Sequence, residues 1–563
     1  MLGRRVMGVT YPSVRVPTGG PARSRTGLGA LSHDGAWNPA TIALVILITV
    51  IGVVLRIPSF RDSLFGDEIS TYWIAVGHSL HQTLQLSRVP QESSPPLFFI
   101  LAWITRGMLG SAVESIRIPS LVAGTATIPH TYLLGARLVG KRAGLVGAAI
   151  VSLAPFMIYY STEARPNMTL AFVVLLSTIS LVYALDSGRV GWWVAYAVFT
   201  CAAAYTHYTV FYVLLAQFLW ALWAKPNRRR ALLISTGAAA LAFLPWVSQL
   251  AAGFHQPNAI GYYQPFGLHA IELYIPRWAL GHPYLLLVHV PGYLAVTVFL
   301  TGLALGLLGL VVRRRQDGRA WTRPSPGAVL VIVLAFAAPV GAVLYSSVGP
   351  SVFDPRDIIS SWPGFALLIG AVVANGPKPL RLLSIGLVLV GFAIGSVTML
   401  LPQNQRPDVD SAAAFINRVG TSGDPIVDGP LYAYPLSELD VAFAEDQSTS
   451  KSFPVLRLGA PQRDQMTRAS WLRAKGIYPA LHPTDPRVVA MLAERMARHG
   501  TIFFVAGTSP LVDYGFFPKS PEAQFLGALP KFRVIREGKF GKGFAGAFPV
   551  GVFELRYAHT AHS

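Results

Sequence analysis

Residues 41–68 read TIALVILITVIGVVLRIPSFRDSLFGDE. The run from Thr41 to Ile57 is apolar and fits one membrane crossing, and about ten residues beyond it stands an acidic pair, Asp67-Glu68. Carboxylates are rare beside bilayer hydrocarbon because losing water costs them several kcal/mol. A pair held just outside a span therefore marks a candidate site of chemistry at a membrane face.

The rest of the chain repeats the alternation of apolar run and polar loop. Of 563 residues, 52% are hydrophobic and only 13% charged, with a mean hydropathy of +0.47, which is too apolar for a soluble protein of this size. Further runs lie at Arg117 to Leu138, Gly144 to Tyr160, Met168 to Leu185, Gly191 to Thr206, Tyr208 to Trp223, Ala231 to Leu250, Leu286 to Val312, Ala328 to Val348, Ile358 to Ala374 and Leu380 to Leu401. With the first they make about eleven crossings of a polytopic α-helical membrane protein; the shorter runs need snorkelling or local thinning.

The formal net charge is +19, but the basic residues sit in short loops between apolar runs and form no single groove, so a nucleic-acid partner is not indicated. They report topology. With the N-terminus inside, the cytoplasmic loops hold Arg137, Lys141 and Arg142, then Arg189, Lys225 with Arg228 to Arg230, Arg313 to Arg315, and Lys378 with Arg381. The opposite loops are poor in Lys and Arg. Pro95 to Gly110 is apolar but short, contains Arg106 and starts at Pro95-Pro96; as a full span it would turn the Arg-rich loops outward, so it reads as a juxtamembrane or re-entrant helix.

Three regions follow. Residues 1–40 are basic and rich in Gly and Pro, and read as a disordered cytoplasmic N-terminus. Residues 41–401 form the transmembrane domain, with outer loops 58–116 and 251–285, and its first run reads as a retained anchor rather than a signal peptide. From Pro402 charges become frequent and no segment could cross, so 402–563 read as a soluble domain that parity places outside. There Asp408 or Asp410 can cap a helix ending near Gly420, and Asp485-Pro486 opens another that stops at Gly500. Thr501 to Val505, Phe532 to Ile535 and Val550 to Leu555 read as strands, giving an α/β domain. The single cysteine, Cys201, excludes an internal disulfide and a cysteine-based metal site.

By this topology polar groups converge on the outer face: Asp67-Glu68, His78 and His81, Glu163 and Arg165 in YYSTEARP, Thr206-His207-Tyr208, and Asp354-Pro355-Arg356-Asp357. The long outer loop adds Glu272, Arg277 and His282 among the aromatics Phe254, Tyr262, Tyr263, Phe266, Tyr274, Trp278 and Tyr284. Each has a plainer reading. Asp67-Glu68 alone is as good a helix cap, Arg165 an interfacial anchor, Arg356-Asp357 a local ion pair, His207 a packing histidine, His78 and His81 solvated surface, and the aromatics an interfacial belt.

The series is more specific than its parts. FGDE at 65–68, SPPL at 94–97, RIPS at 117–120, LAPF at 153–156 with Tyr159-Tyr160 and Glu163-Ala164-Arg165, and Pro355-Arg356 resemble, in order and spacing, bacterial members of the glycosyltransferase C superfamily. The resemblance is to polyprenyl-phosphate-sugar enzymes related to protein O-mannosyltransferases and lipid A aminoarabinose transferases, over roughly Gly52 to Ala374. It implies inverting transfer of a sugar, mannose or arabinofuranose-like, from a polyprenyl-phosphate donor to a hydroxyl of a glycan, lipid or protein acceptor on the outer face of a bacterial plasma membrane. Asp67 takes the motif position of the catalytic acid, with Glu68 sharing or orienting. The leaving phosphate calls for cations, for which Arg165 and Arg356 are the first choices and His207 the third. Glu163 resembles a second acid of the family's outer loops, and Tyr160 and Ser94 complete the expected substrate contacts. Ser94 stands where the aminoarabinose enzymes carry a Lys, which removes one expected phosphate contact. The superfamily includes metal-dependent members, but no ligand cluster here requires a divalent metal and no other cofactor is implied.

The rival from another class is a transporter or flippase for a lipid-linked sugar. Such proteins carry ionisable residues near mid-span. Here the span centres hold almost no charge, His130 excepted, and the acids gather at one face. A scaffold binding cell-wall polymer would leave the motif series unexplained. The outer domain is expected to hold or select the acceptor.

Overall fold

The computed structural model of the chain describes residues 38–88, 92, 94–110, 113–254, 266–281, 293–316, 324–429, 436–446, 451–458, 485–507, 521–540 and 550–558. The expected disordered N-terminus, apart from 38–40, lies outside these residues, as do His282, Tyr262, Tyr263, Tyr284 and the Phe254 side chain.

In chain order the helices up to the Pro402 boundary are α1 (Pro39–Phe60), α2 (Glu68–Ala75), α3 (Leu80–Leu86), α4 (Leu97–Leu109), α5 (Ile118–Leu138), α6 (Lys141–Leu153), α7 (Pro155–Ser161), α8 (Pro166–Ser187), α9 (Val190–Ala204) and α10 (Val210–Ala224). They continue with α11 (Arg229–Phe243), α12 (Val247–Phe254), α13 (Leu268–Leu280), α14 (Leu294–Gln316), α15 (Pro326–Ser346), α16 (Trp362–Val373) and α17 (Lys378–Leu400). Local signals set their ends. Asn38 Oδ1 accepts the Thr41 N–H at 2.8 Å to start α1, and Ser325 Oγ accepts that of Ala328 at 3.2 Å to start α15. Gly188, with φ of +69°, ends α8 in the left-handed conformation that costs glycine least.

Helices form in the described part of each of the eleven apolar runs, but they are not equal. Among the described residues seven segments are long and apolar enough to cross a membrane: α1, α8, 226–252, α14, α15, 355–373 and α17. An eighth is the pair α6 and α7, bent by 60° at Ala154-Pro155. There proline lacks an N–H and leaves the carbonyls of the preceding turn without helical donors. Arg56, fully buried near the end of α1, reaches the carbonyls of Val151 and Ser152, each at 3.4 Å, and Ser396 donates to that of Leu153. The remaining three runs fall short in different ways. Helices α9 and α10 have 15 residues each, about 22 Å of rise against about 30 Å of hydrocarbon, and α5 has the length but less apolarity. Eleven crossings therefore exceed what length and composition alone support.

Helix α4, with 13 residues, is also short of a crossing. Its Phe98, Phe99 and Ala102 pack instead with Leu64, Ile69, Tyr72 and Trp73 in a cluster separate from the main helical core. In the main core, α5 and α6 meet at Gly135 and Gly144, where a Cβ on Gly135 would stand 2.7 Å from the Gly144 Cα.

After Pro402 the chain forms α18 (Val409–Val419), β1 (Ile426–Gly429), α19 (Glu438–Glu445), β2 (Val455–Arg457), α20 (Pro486–Met496), β3 (Thr501–Gly507), α21 (Pro521–Gly527), β4 (Phe532–Phe540) and β5 (Val550–Tyr557). Asp408 caps α18 and Asp485 caps α20, as expected, although α20 stops at Met496, short of Gly500. The three expected strands are present, joined by the short β1 and β2 in a five-stranded sheet of order β2-β1-β3-β5-β4. The pairs β1–β2 and β1–β3 are parallel and the others antiparallel. Alternate residues face opposite layers: Val427, Ile502 and Phe504 pack with α20 and α21, and Ile426, Phe503 and Val505 with α18 and α19.

This domain is bound to the loop after α1 and to α2 and α4 by polar contacts. Ser63 Oγ donates to Asp410 at 2.8 Å, Arg106 donates to Glu445 at 2.9 and 3.2 Å, and Tyr72 donates to Glu445. Leu436, Val441 and Ala444 join the cluster around α2 and α4.

Candidate active site

The loop between α1 and α2 is held from behind by a buried charge cluster. Arg117, fully buried, donates to Glu68 from Nε and Nη2, both at 2.7 Å, and to the carbonyls of Phe60, Asp62 and Ser63 at 2.9, 2.5 and 3.0 Å. Every N–H of the guanidinium is thereby used. Glu68, also fully buried, accepts in addition the N–H groups of Ala164 at 2.7 Å and Phe65 at 3.2 Å, and Arg406 lies 3.6 Å away. Burial pushes its carboxyl up, but Arg117 and Arg406 outweigh that and hold it below its ordinary range. A carboxylate so saturated has no lone pair to offer a substrate proton. Glu68, expected to share the base role or to orient the acceptor, here joins Arg117 to the Ala164 and Phe65 amides and so fixes the loop.

Asp67 stands in front of this cluster. Gly66, at φ +60°, turns the chain so that Asp67 occupies the first position before α2, yet its side chain makes no capping bond. The plain capping reading therefore does not hold. Its carboxylate is paired with Arg356, and the two side chains are 17% and 21% exposed, so the pair is reachable from outside. Arg356 comes from the turn Pro355–Ser361, where Asp354 Oδ1 accepts its backbone N–H at 3.1 Å and lies 3.6 Å from its Nε. Burial is the main cause that holds the Asp354 carboxyl above its ordinary range.

The other expected residues surround this pair unevenly. Arg165 is engaged by Glu92, to which it donates at 2.9 and 3.3 Å, and by Ser70 Oγ at 2.7 Å. Glu92 Oε1 also accepts the Ser94 N–H at 2.9 Å, while the buried Ser94 Oγ has no hydrogen-bond partner among the described residues. Glu163 is 8% exposed, with only a long contact of 3.5 Å from Asn167; burial and the charges of Glu68 and Asp67 push its carboxyl up to about 7. Tyr160 is buried against Phe156 and Tyr159, with ring centroids 4.7 and 5.2 Å away.

His207 differs from its expected role as a cation. Its Nδ1 is 3.0 Å from Thr209 Oγ1 and its Nε2 is 3.6 Å from Asp357. Burial, with Arg165 and Arg356 nearby, pulls it down to about 3, so it is neutral at ordinary pH. It can orient a ligand by hydrogen bonding but adds no positive charge.

Sequence reasoning passed over the partners that neutralise these groups. Glu92, Ser70 and Arg406 carry no motif, and only their place beside motif residues in the fold gives them meaning. Arg406 donates to the Thr162 carbonyl at 3.0 Å and covers the Tyr159 ring at 5.0 Å, tying the Pro402 boundary to the YYSTEARP turn. Arg277, on α13, is half-buried; desolvation lowers it from the ordinary guanidinium range, and its Nε has no hydrogen-bond partner among the described residues. It is a cation with little counter-charge.

The remaining groups do not assemble. His78 and His81 form no metal site: His81 is exposed beside Gln85, and no group of three or more His, Cys, Asp or Glu able to hold a metal occurs among the described residues. Phe266, Tyr274 and Trp278 pack on Phe353 and Trp362 as core, not as an exposed belt. His130 makes an edge contact with Phe172 within the helical core.

Residues 93–249 match the family of dolichyl-phosphate-mannose-protein mannosyltransferases. No curated protein matches the chain. Among solved structures, ArnT from Cupriavidus metallidurans in the apo state is 14% identical, with a TM-score of 0.51 over 92% of this chain and 98% of that one. The same protein bound to undecaprenyl phosphate is 13% identical, with a TM-score of 0.50 over 93% and 98%. The arabinofuranosyltransferase AftD from Mycobacteria is 14% identical with a TM-score of 0.44, and this chain spans 40% of its length. The fold of this chain is therefore similar to that of ArnT, and its sequence resembles the dolichyl-phosphate-mannose-protein mannosyltransferases over the stretch that carries α4 to α11.

Proposed function

We propose that this protein is an integral membrane glycosyltransferase that moves a sugar, mannose or arabinofuranose-like, from a polyprenyl-phosphate donor to a hydroxyl on the outer face of a bacterial plasma membrane. The observation that carries the proposal is the Asp67–Arg356 pair. It joins a partly exposed carboxylate and a partly exposed guanidinium at the mouth of the outer loops, on a loop locked by Arg117 and Glu68. The undecaprenyl phosphate held by the similarly folded ArnT supports a polyprenyl-phosphate donor.

In this reading Asp67 takes the proton of the acceptor hydroxyl while that oxygen attacks the anomeric carbon. The bond from that carbon to the phosphate oxygen breaks on the opposite side, its electron pair leaves with the phosphate, and the product is inverted. Arg356 and Arg277 meet the developing phosphate charge. Arg165 contributes at longer range because Glu92 already engages it. A phosphate offers Arg356 two oxygens, so donor arrival competes with Asp67 for the guanidinium and leaves the carboxylate more basic when the acceptor arrives. His207 and Tyr160 orient the sugar, and Glu163 supplies a neutral or ionised carboxyl beside Asp67.

The transporter or flippase reading requires two exchangeable arrangements of the binding groups. The saturated contacts of Arg117 and Glu68 oppose such exchange at this loop. The test is transfer of labelled sugar from polyprenyl-phosphate mannose and polyprenyl-phosphate arabinofuranose in membranes containing the protein, beside Asp67→Asn at matched expression. Loss of the base should cut transfer by about 10²- to 10⁴-fold. Parent membranes that transfer neither sugar to endogenous acceptors would refute the enzyme reading, and an active Asp67→Asn would refute the base.

A further inference from the structure

Basic side chains gather at the far ends of the helices that carry the candidate site. Helices α5, α8 and α10 begin beside Arg117, Arg165 and Thr209 and end beside Arg137, Asp186 and Lys225. Helix α8 alone, with 22 residues, rises about 33 Å, so its two ends lie about one hydrocarbon thickness apart. At the far end Asp186 accepts from Arg137 at 2.5 Å and lies 3.8 Å from Lys225 Nζ. Between Arg137 and Arg230 the sequence holds one other acid, Glu163, and that one stands at the candidate-site end.

Arg228 separates this notch from an ordinary row of loop cations. It ends the short 3-10 turn Pro226–Arg228, is half-buried, and has its backbone N–H bonded to the Lys225 carbonyl at 3.0 Å. Its guanidinium lies directly against Gly188, the left-handed residue that ends α8; a Cβ there would stand 2.4 Å from Nη1 and 2.6 Å from Cζ. The negative ends of the helices favour cations here, and Asp186 engages two of them. The Arg228 guanidinium forms no hydrogen bond or ion pair among the described residues. A planar, five-donor cation that is held in place and partly withdrawn from water is a group prepared for an oxyanion.

The surroundings select the anion. Val190, two residues beyond Gly188, and Trp223, two residues before Lys225, are 75% and 58% exposed. Exposed apolar side chains at this level of a membrane protein meet acyl chains, and tryptophan is favoured at the headgroup boundary. A phosphodiester can offer two oxygens to the fork of Arg228 while Lys225 adds a point charge. A headgroup carrying its own cation would be repelled by Lys225 and Arg137, so a net negative headgroup is preferred. Basic pockets between membrane helices are a recurring form of headgroup recognition.

We infer that the notch between the ends of α5, α8 and α10 binds the phosphate of an anionic glycerophospholipid, with Arg228 as its bidentate contact and Lys225 as the second cation. The lipid belongs to the leaflet opposite the candidate site. The inference does not depend on the transferase reading.

The test uses the full chain, in neutral detergent and in phosphatidylcholine nanodiscs. Native mass spectrometry compares binding of dioleoyl phosphatidylglycerol with that of dioleoyl phosphatidylcholine, and thermal unfolding is recorded with and without phosphatidylglycerol. The parent should bind phosphatidylglycerol in preference and unfold at a higher temperature in its presence. Arg228→Gln should weaken that binding about fivefold. Arg229→Gln, which removes the same charge from an exposed neighbour, should weaken it less. In phosphatidylcholine Arg228→Gln should unfold at the parent temperature, because it breaks no internal bond. Equal binding of the two lipids, equal losses in the two variants, or a lowered unfolding temperature for Arg228→Gln in phosphatidylcholine would overturn the assignment. Displacement of phosphatidylglycerol by glycerol phosphate at matched ionic strength would overturn the lipid source in favour of a free phosphate. Decaprenyl phosphate that excludes phosphatidylglycerol and is itself lost in Arg228→Gln would overturn the glycerophospholipid class.

Discussion

Replacing Arg117 by Met should disable the protein although Arg117 touches no substrate. The side chain is fully buried, and its guanidinium serves Glu68 twice and three backbone carbonyls between Phe60 and Ser63. Methionine would fill much of the volume but leave Glu68 with Arg406 at 3.6 Å as its remaining cation. Removing one partner of a buried ion pair costs about 3–5 kcal/mol, and each carbonyl left without a donor adds about 1–3 kcal/mol unless water reaches it. Relaxation of the loop will recover part of this, so a net loss of about 4 kcal/mol is expected for Arg117→Met. Arg117→Lys keeps the charge but has three donors in place of five, so about 2 kcal/mol is expected. Thermal unfolding of the full chain in nanodiscs should therefore rank parent above Arg117→Lys above Arg117→Met, with sugar transfer falling in the same order. The pH dependence has a fixed sign. Because Glu68 is held below its ordinary range, its contribution is present above the unfolded carboxyl value, about 4.3, and is lost as pH falls through the lower folded value. A parent that declines on acidification beside an Arg117→Met variant already low at neutral pH is the expected pattern. If Arg117→Met unfolds at the parent temperature and transfers sugar normally, the cluster does not hold the loop and the account of Asp67 placement fails.

Two further outcomes concern titration. Glu163, pushed up to about 7, makes the fold most favourable when protonated; that advantage is present below about 4.3 and is lost as pH rises through 7, so Glu163→Gln should stabilise the protein relative to the parent at pH 8 and not at pH 4. The transfer rate should show one inflection near pH 7 that disappears in Glu163→Gln, and an unchanged inflection would remove Glu163 from the site. His207, pulled down to about 3, should contribute no inflection between pH 5 and 8; its folding contribution is complete above about 6.5 and declines as pH falls toward 3. His207→Asn should keep the shape of the pH profile while raising the KM for donor, and loss of an inflection near 6 in that variant would show that the imidazole titrates there.

What the sequence made legible was local. Apolar runs marked the helices, Asp408 and Asp485 marked helix caps of the α/β domain, and alternating β-branched and aromatic residues marked β3, β4 and β5, because each signal is complete within a few neighbouring residues. The run lengths were less informative. Helices α9 and α10 are too short by themselves to settle a crossing, and the bend at Pro155 is stabilised by Arg56, some 95 residues earlier.

The site was legible only as a set of motifs, since the property that separates their roles is pairing across the chain. Asp67 and Glu68 are adjacent and chemically alike, yet one meets Arg356 across 289 positions at a partly open mouth and the other is sealed by Arg117 and the Ala164 amide. Sequence assigned both to chemistry; burial divides them into a candidate base and a fixed anchor. Arg165 and Arg356 were alike as guanidiniums, but Glu92 engages the first while the second pairs with Asp67, the candidate base. The same logic extends to the α/β domain. Glu438 and Glu445 look like ordinary surface acids of a helix, and only the fold brings one to the Gly66 amide and the other to Arg106 and Tyr72. These contacts tie α19 to the loop that carries Asp67, so the α/β domain and the candidate base share one structural support. A substitution in α19 that breaks it should impair transfer to acceptor more than binding of donor.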